Sequence, residues 1–430
     1  MHTFSLKKGM LIGTASAATQ IEGGTVDHSW LNWYRQGRIA DGSSPERANG
    51  HYRLWQEDNV LMQELGLQIS RFGVEWARIE PQEGVFSEEA IAHYVQEAED
   101  LLARGIKPLV TLHHFTNPMW FERKGAFENK ENIPVFIRFV KKMVEAFGAT
   151  VNEYITINEP NVYAANGYFF GSWPPGEKSF GKTVTVMSVL AAAHTLAYQA
   201  IHAVRKELGL TDTSVSYANH MRVFAPENPK KLSHRIYARL TERFFQGSLS
   251  KAMGTGVFSF PLRNVNRVVK GLYCDFIAVN YYTRSSVSGL SDGVQRGVPV
   301  NDLGWEIAPQ GIVACAEKLY ALHPLPIYIT ENGTCDNQDA FRCLYLYEHL
   351  RALADSPLPI ERYYHWCFCD NFEWVEGESA RFGIVHVDYE TQARTVKKSG
   401  YFLRDVIRAQ GVTEKIYEDY IRGEAYHTND

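Results

Sequence analysis

The chain alternates between two hydrophobic patterns. Short runs that are apolar on both faces recur along it, and longer segments with an apolar stripe at helical spacing lie between them. Runs of the first kind are typical of strands in a parallel sheet that helices cover on both sides. We identify eight such runs, at residues 10–13, 68–73, 107–113, 153–158, 214–219, 275–281, 326–330 and 362–368.

The clearest helix-like segment covers residues 134–147. Pro134 suits its first turn and Gly148 its end. Further helices are predicted at residues 88–104 and 184–207. No linker, repeat or shift in composition divides the chain, so we expect a single domain over residues 1–430.

Eight strands that alternate with helices over more than about 250 residues predict an α/β fold, the (β/α)8 or TIM barrel. The active site of such a barrel lies at the carboxyl ends of its strands. Residues that directly follow the eight predicted strands are therefore the first candidates for chemistry.

Composition narrows the classes of protein. With 45% hydrophobic and 22% charged residues the chain is expected to be soluble and globular, and a net charge of -5 gives no support for a nucleic-acid partner. The six cysteines form no C-x-x-C pair, which favours buried free thiols in a reducing compartment over disulfides. We find no signal peptide and no membrane span, and expect a cytoplasmic protein.

Two glutamates lie at the ends of β-branched runs. Glu159 directly follows the fourth predicted strand and Glu331 directly follows the seventh, each next to turn-forming residues. In a closed barrel these strand ends face each other, which predicts a paired acid and nucleophile as used in glycoside hydrolysis. A helix-capping or solvated loop carboxylate is the alternative for either residue alone.

Residues 176–183 match the P-loop pattern G-x-x-x-x-G-K-[ST], but Pro174 and Pro175 precede them. Because a P-loop must follow a buried strand, and prolines do not occupy a central strand, we reject nucleotide binding here. No cluster of residues has the spacing of a metal site, and we expect neither a metal nor another cofactor.

Eight ordered motifs occur at the predicted strand ends. They cover residues 13–23, 71–72 with 76–81, 113–115, 158–160, 171–176, 275–282, 330–333, and 366 with 370–374. Together they resemble glycoside hydrolase family 1, the retaining β-glucosidase and β-galactosidase family.

The resemblance implies that Glu159 is the general acid/base and Glu331 the nucleophile. It also implies that Arg71 keeps Glu331 ionised and that Tyr282 donates a hydrogen bond to the same carboxylate. A negative charge on Glu331 would then keep Glu159 protonated and ready to donate.

By the same resemblance, a set of side chains binds the hydroxyls and face of the first sugar. Its members are Gln20, His114, Asn158, Trp366, Glu373 and Trp374. His113 must face the other way along its strand and is expected in the core. The acidic Glu373 would repel a 6-phosphate, which favours unphosphorylated sugars.

Two positions depart from the family pattern, because Phe115 and Asn161 stand where tryptophan is common. Asn219 and Trp305 resemble positions on the aglycone side, with a structural role as the alternative for both. The departures leave the preferred aglycone open.

We therefore interpret the sequence as a retaining β-glycosidase that acts on small β-glycosides or short oligosaccharides. β-Glucosides are favoured, with galactosides and fucosides as further substrates. A transglycosidase would use the same residues, and a catalytically silent sugar-binding protein would lack one glutamate, which this chain keeps. The preferred epimer, the aglycone and the oligomeric state stay open.

Overall fold

In the computed structural model, which describes residues 2–289 and 292–429, eight strands form a closed parallel barrel. They are β1 (Leu11–Ala15), β2 (Ile69–Gly73), β3 (Lys107–Thr111), β4 (Glu153–Asn158), β5 (Ser214–Pro226), β6 (Ile277–Val287), β7 (Ile327–Asn332) and β8 (Ile360–Trp366). Each pairs in parallel with the next in chain order, and β8 pairs with β1 to close the ring. The predicted barrel is confirmed.

The strands are short and apolar because the barrel interior covers one face and helices cover the other. Every residue of β2, β4 and β7 is buried. In contrast, β5 and β6 run well past the predicted ends at residues 219 and 281. After a shift in register beyond Met221 they continue to pair, with Val223 opposite Arg284, and so rise above the mouth of the barrel.

Helices alternate with the strands, as the sequence predicts. The longest helix that follows each strand is His51–Glu64, Glu88–Ala103, Ile133–Phe147, Phe180–Glu207, Leu232–Glu242, Gln310–Tyr320, Arg342–Asp355 and Lys398–Ala409. In Ile133–Phe147 the apolar stripe is buried, Pro134 lies in the first turn and Gly148 ends the helix. The predicted pattern and both of its end signals are confirmed.

The helix Phe180–Glu207 begins four residues before the predicted start at 184. By length and composition this helix could cross a membrane, which the sequence analysis did not note. However, 67% of its most apolar 18-residue stretch is buried inside the protein.

The first turn of this helix overlaps the P-loop pattern. There the Lys182 ammonium pairs with Glu177 at 2.7 Å, and among the described residues no strand directly precedes the segment, since residues 159–175 form helices and turns.

The remaining elements surround the barrel. Shorter α-helices are Ala18–Ile21, Ser29–Arg35, Trp76–Ile79, Met119–Glu122, Pro160–Ala164, Ser248–Thr255 and Glu414–Tyr420. Short 3-10 helices are Ala126–Glu128, Lys130–Asn132 and Trp374–Glu376, and π-helices are Ala165–Phe170 and Arg243–Gly247. Peripheral strands pair as Phe4–Ser5 with Gly411–Val412, Val385–Val387 with Arg394–Val396, Pro299–Val300 with His427–Thr428, and Asp292–Gly293 with the end of β6.

One hydrophobic cluster extends from Leu6 to Ile421 and fills the space between barrel and helices. The six cysteines are all free and buried, which confirms that part of the prediction.

Candidate active site

A cavity of about 630 Å³ opens at the carboxyl ends of the barrel strands. Glu159 and Glu331 both line it. The structure thus brings together the two carboxylates whose sequence positions predicted a pair.

Glu331 lies near the end of β7 and is held by two donors. The Arg71 guanidinium, from β2, donates to Oε1 at 2.6 Å, and the Tyr282 hydroxyl donates to Oε2 at 2.6 Å. Arg71 is itself fixed, because it also donates to the Thr111 hydroxyl and the Asn158 side chain. Both carboxylate oxygens of Glu331 therefore have a fixed direction.

Burial of Glu331 opposes the role expected of Arg71, which is to keep this carboxyl ionised. Burial raises the pKa of Glu331, and the charge of Glu159 adds to that rise, whereas Arg71 and Tyr282 oppose it. The net direction is upward, because desolvation is the largest of these effects. Burial likewise raises the pKa of Tyr282 well above its ordinary value, so its hydroxyl keeps the proton that it donates.

Glu159 has an amide and an imidazole as partners instead of a guanidinium. Its backbone is in the left-handed region (φ 42°), where the chain turns from β4 into the helix Pro160–Ala164. Oε1 accepts from the Asn280 amide at 2.9 Å, and His220 Nδ1 lies 3.1 Å from the same atom. Because Arg222 Nε donates to His220 Nε2, the imidazole carries its proton on Nδ1 and donates it to Glu159.

Asn280 and His220 are residues that the sequence did not single out. Asn280 donates to Glu159 and to the Asn158 Oδ1 that also accepts from Arg71, so it connects the surroundings of the two glutamates. The available signal was the place of Asn280 within the motif at residues 275–282. His220 directly follows Asn219 on β5, and strand alternation would have pointed to one of the two.

The predicted sugar-binding residues lie around Glu373. The Gln20 amide donates to Glu373 Oε2 at 3.2 Å, and the Trp366 indole N–H donates to the same atom at 3.4 Å. Burial raises the pKa of Glu373 to about 8, and the charges of Glu331 and Glu159 act in the same direction. Gln20 Oε1 is buried and has no partner among the described residues.

His114 and Trp374 form the adjoining wall. Their rings stack with centroids 6.0 Å apart, and Trp374 also packs on Phe115 at 5.3 Å. Asn158 donates to His114 Nε2 at 2.9 Å, and burial lowers the pKa of His114, so the ring is neutral. Its buried Nδ1 lacks a partner within the described part of the chain. His114, Trp366, Glu373 and Trp374 line the cavity, and together with Gln20, which contacts Glu373, we call them the sugar side.

His113 points away from the cavity, as predicted. It contacts the Asn117 side chain at 2.9 Å and packs edge-on against Phe127 and Tyr163. Burial lowers its pKa to about 4, so it is a neutral core histidine.

Of the two roles left open for Asn219, the structure shows the structural one. Its side chain is buried and donates to the Ser250 hydroxyl at 2.7 Å, behind the cavity wall, while the next residue, His220, lines the cavity. Successive side chains on a strand point to opposite faces, so of two neighbours such as Asn219 and His220 only one faces the cavity. Trp305 does line the cavity, 6.0 Å from the Tyr282 ring, whereas Asn161 is buried and donates to the His220 carbonyl.

Within residues 2–289 and 292–429, no group of three or more histidine, cysteine, aspartate or glutamate side chains has the geometry to hold a metal ion.

Comparisons with known proteins agree with this geometry. The sequence model of glycosyl hydrolase family 1 matches residues 2–412. The chain is 29% identical to β-glucosidase A of Thermotoga maritima over 96% of this chain and 100% of that protein, and 28% identical to the β-galactosidase of Sulfolobus acidocaldarius over 96% and 97%.

Solved structures give the same result. A β-glucosidase from Thermotoga maritima in complex with glucoimidazole aligns with a TM-score of 0.88 at 29% identity, over 95% of this chain and 100% of that one. A β-glycosidase from Pyrococcus horikoshii aligns with a TM-score of 0.86 at 31% identity, over 97% and 98%. The chain belongs to glycosyl hydrolase family 1 and is a glycoside hydrolase.

Proposed function

We propose that the protein hydrolyses β-glycosides, with β-glucosides preferred, by double displacement with retention at the anomeric carbon. The observation that carries this proposal is the pair of buried carboxyls with different partners in one cavity. Glu331 contacts a cation and a phenol, whereas Glu159 contacts an amide and an imidazole. Such unequal surroundings suit one nucleophile and one proton donor.

In the first step the Glu331 carboxylate attacks the anomeric carbon while the bond from that carbon to the leaving oxygen breaks. Glu159 gives its proton to that oxygen, so the aglycone leaves as an alcohol. In the second step Glu159 takes a proton from water, and the resulting hydroxide displaces Glu331. Arg71 and Tyr282 stabilise the carboxylate that is released.

The sugar side supports recognition of an unphosphorylated glucose unit. Gln20 Oε1 and His114 Nδ1 are buried polar atoms without partners among the described residues, and both suit a sugar hydroxyl. Because burial raises the pKa of Glu373 to about 8, this carboxyl is largely protonated at pH 7 and can both donate and accept. The relatives named above are β-glucosidases and β-galactosidases, which supports the same choice.

Because Glu373 is largely protonated at pH 7, charge repulsion does not explain why a sugar 6-phosphate would be rejected, and the cost of desolvating the phosphate does. A dianion next to Glu373 would lose its hydration in a buried site. Among the described residues that line the cavity, Arg222 is the only arginine or lysine, and it lies beside His220 rather than Glu373.

The six free, buried cysteines support our further proposal that the protein works in the cytoplasm.

A panel of 4-nitrophenyl glycosides tests this function. We expect the β-glucoside to have the highest kcat/KM, the α-glucoside to be inert, and proton NMR to show β-glucose as the first product. Release of α-glucose first would mean inversion, and an inert panel would contradict the proposal as a whole.

A further inference from the structure

A second part of the cavity lining, away from the sugar side in sequence, is rich in phenylalanines. We call Phe169, Phe170, Phe180, Phe224, Phe244 and Phe245 the phenylalanine side. They come from the helix Phe180–Glu207, the extension of β5 and the two π-helices. Their rings contact one another across these segments, with centroids 5.0 Å apart for Phe180 and Phe244 and 6.4 Å apart for Phe169 and Phe180.

This wall is open to solvent. Phe169, Phe170 and Phe180 are 42%, 56% and 52% exposed, and the neighbouring Leu240 is 55% exposed. A contiguous exposed apolar surface of this kind marks a binding site, because water contact with it is unfavourable until a ligand covers it. The two π-helical segments that contribute to it are a rare feature that occurs frequently at functional sites.

The phenylalanine side adjoins the proton donor. His220 contacts Glu159 at 3.1 Å, and its ring lies 6.1 Å from Phe245, which in turn contacts Phe224 at 5.7 Å. A general acid must reach the leaving oxygen, so the leaving group lies on the acid's side of the sugar. The phenylalanines are therefore placed to contact the aglycone, not the glycone.

The chemistry of this wall disfavours a polar aglycone. Arg222 lies over the Phe245 ring at 5.7 Å and pairs with Asp292 at 3.3 Å, so its charge already has partners. The hydroxyls of a second sugar would be removed from water against rings that accept or donate no ordinary hydrogen bond. An alkyl or aryl group would lose no hydrogen bond there.

We propose that this enzyme acts on β-glycosides that carry an extended apolar aglycone, an alkyl or aryl group, in preference to oligosaccharides. The proposal rests on the proposed β-glycosidase function and adds the substrate class of the same site. The occupant of the phenylalanine side is the aglycone itself.

The test is a chain-length series. We would measure kcat/KM for methyl, butyl, hexyl and octyl β-glucoside below their micelle-forming concentrations, together with cellobiose. We expect kcat/KM to rise at least about tenfold from methyl to octyl, since each added methylene in an apolar pocket favours binding. Octyl β-glucoside should also exceed cellobiose.

Variants locate the effect. Phe169→Ala/Phe180→Ala removes two exposed rings, and the octyl-to-methyl ratio should fall about fivefold or more. Tyr401→Ala is the matched control, because Tyr401 is also 42% exposed but lies outside the cavity, and its ratio should equal that of the wild type.

The outcomes separate the two proposals. A flat chain-length series, a preference for cellobiose, or an unchanged ratio in the double variant would overturn the apolar aglycone while hydrolysis of 4-nitrophenyl β-glucoside still supports the β-glycosidase function. The apolar aglycone is supported if the chain-length effect is lost in the double variant and kept in Tyr401→Ala. Failure to hydrolyse any β-glucoside would overturn both.

Discussion

The sugar side and the phenylalanine side of one cavity are built in opposite ways. On the sugar side, buried polar groups hold one another, as Gln20 and Trp366 do by donating to Glu373. On the phenylalanine side, Phe169 and Phe180 are about half exposed and contact mainly other rings. Hydrogen bonds orient a ligand because they need a particular geometry, whereas apolar contacts are non-directional and depend on the area that is buried.

The two sides also differ in the elements that carry them. Arg71 and Glu331 belong to barrel strands, whereas Glu159 directly follows one. The phenylalanines belong to helices, π-helices and the part of β5 above the barrel. We infer that the barrel sets the chemistry, and that the segments outside it set which aglycones are accepted. Substitutions should therefore cost far more at the strand ends than on the phenylalanine wall.

The largest loss is expected for Glu331→Ala. Without the nucleophile, kcat for 2,4-dinitrophenyl β-glucoside should fall by about 10⁴-fold or more. Azide or formate should restore part of it, because a small anion fits the space that the carboxylate left. Glu361→Ala, which removes an exposed glutamate from β8, is the control and should behave like the wild type. Near-normal activity of Glu331→Ala would mean that another residue is the nucleophile.

A loss that depends on the leaving group is expected for Glu159→Ala. Alkyl glucosides need a proton on the leaving oxygen, so their kcat/KM should fall by about 10²- to 10⁴-fold, whereas that of the dinitrophenyl glucoside should fall far less. The glycosyl-enzyme should then accumulate, since its hydrolysis needs the same residue as a base. Azide should release it as the β-glycosyl azide. An α-configured azide, or equal losses for every leaving group, would exclude the assigned roles.

A smaller effect concerns the sugar side, where 6-phospho-β-glucoside should have a kcat/KM at least about 100-fold below that of the plain glucoside. Because the pKa of Glu373 is about 8, this carboxyl ionises as the pH rises through that value, and the discrimination should then increase. Measurement of both substrates from pH 6 to pH 9 checks it. Faster turnover of the phosphorylated substrate would show that the sugar side is misassigned.

The same carboxyl makes a prediction about stability. The pKa of Glu373 is higher in the folded than in the unfolded protein. Its contribution to the free energy of unfolding is therefore fully present below the unfolded value of 4.5, and this contribution is lost as the pH rises through about 8. The difference in Tm between Glu373→Gln and the wild type, measured at the same pH, should therefore be more favourable to the variant at pH 9 than at pH 5. An equal change in Tm at both values of pH would contradict the shifted pKa.

The sequence predicted the sugar side and the catalytic pair better than the phenylalanine side, for a physical reason. Strand ends in a barrel meet at one edge, so Glu159, Glu331, Arg71 and Tyr282 are brought together once the eight strands are recognised. Phe169, Phe224 and Phe245 come from segments whose meeting depends on helix packing and on the unpredicted length of β5. No short-range pattern specifies that meeting.

Two smaller differences have local causes. The true start of the helix at Phe180 was hidden because Gly181, Lys182 and Thr183 read as a polar loop, although Ser179 caps the helix by accepting from the Lys182 amide. For Asn219 a place in the cavity and a structural role both stayed open, and His220 was not considered, because the sequence alone does not give the phase of strand alternation. A one-residue shift exchanges the two faces.

The smallest effect is expected at the boundary between the two sides, where His220 donates to Glu159 and packs near Phe245. His220→Phe keeps a ring to stack on Tyr282, which lies 5.8 Å away at 12°, but removes the hydrogen bond. One such bond to a charged group is worth about 1.5 kcal/mol, so kcat/KM for alkyl glucosides should fall roughly tenfold. The dinitrophenyl glucoside, whose leaving group needs no proton, should lose far less. His220→Gln, which can donate again, should restore part of the loss for alkyl glucosides. An equal loss for dinitrophenyl and alkyl glucosides would mean that His220 only fills space and that the two sides do not meet through it.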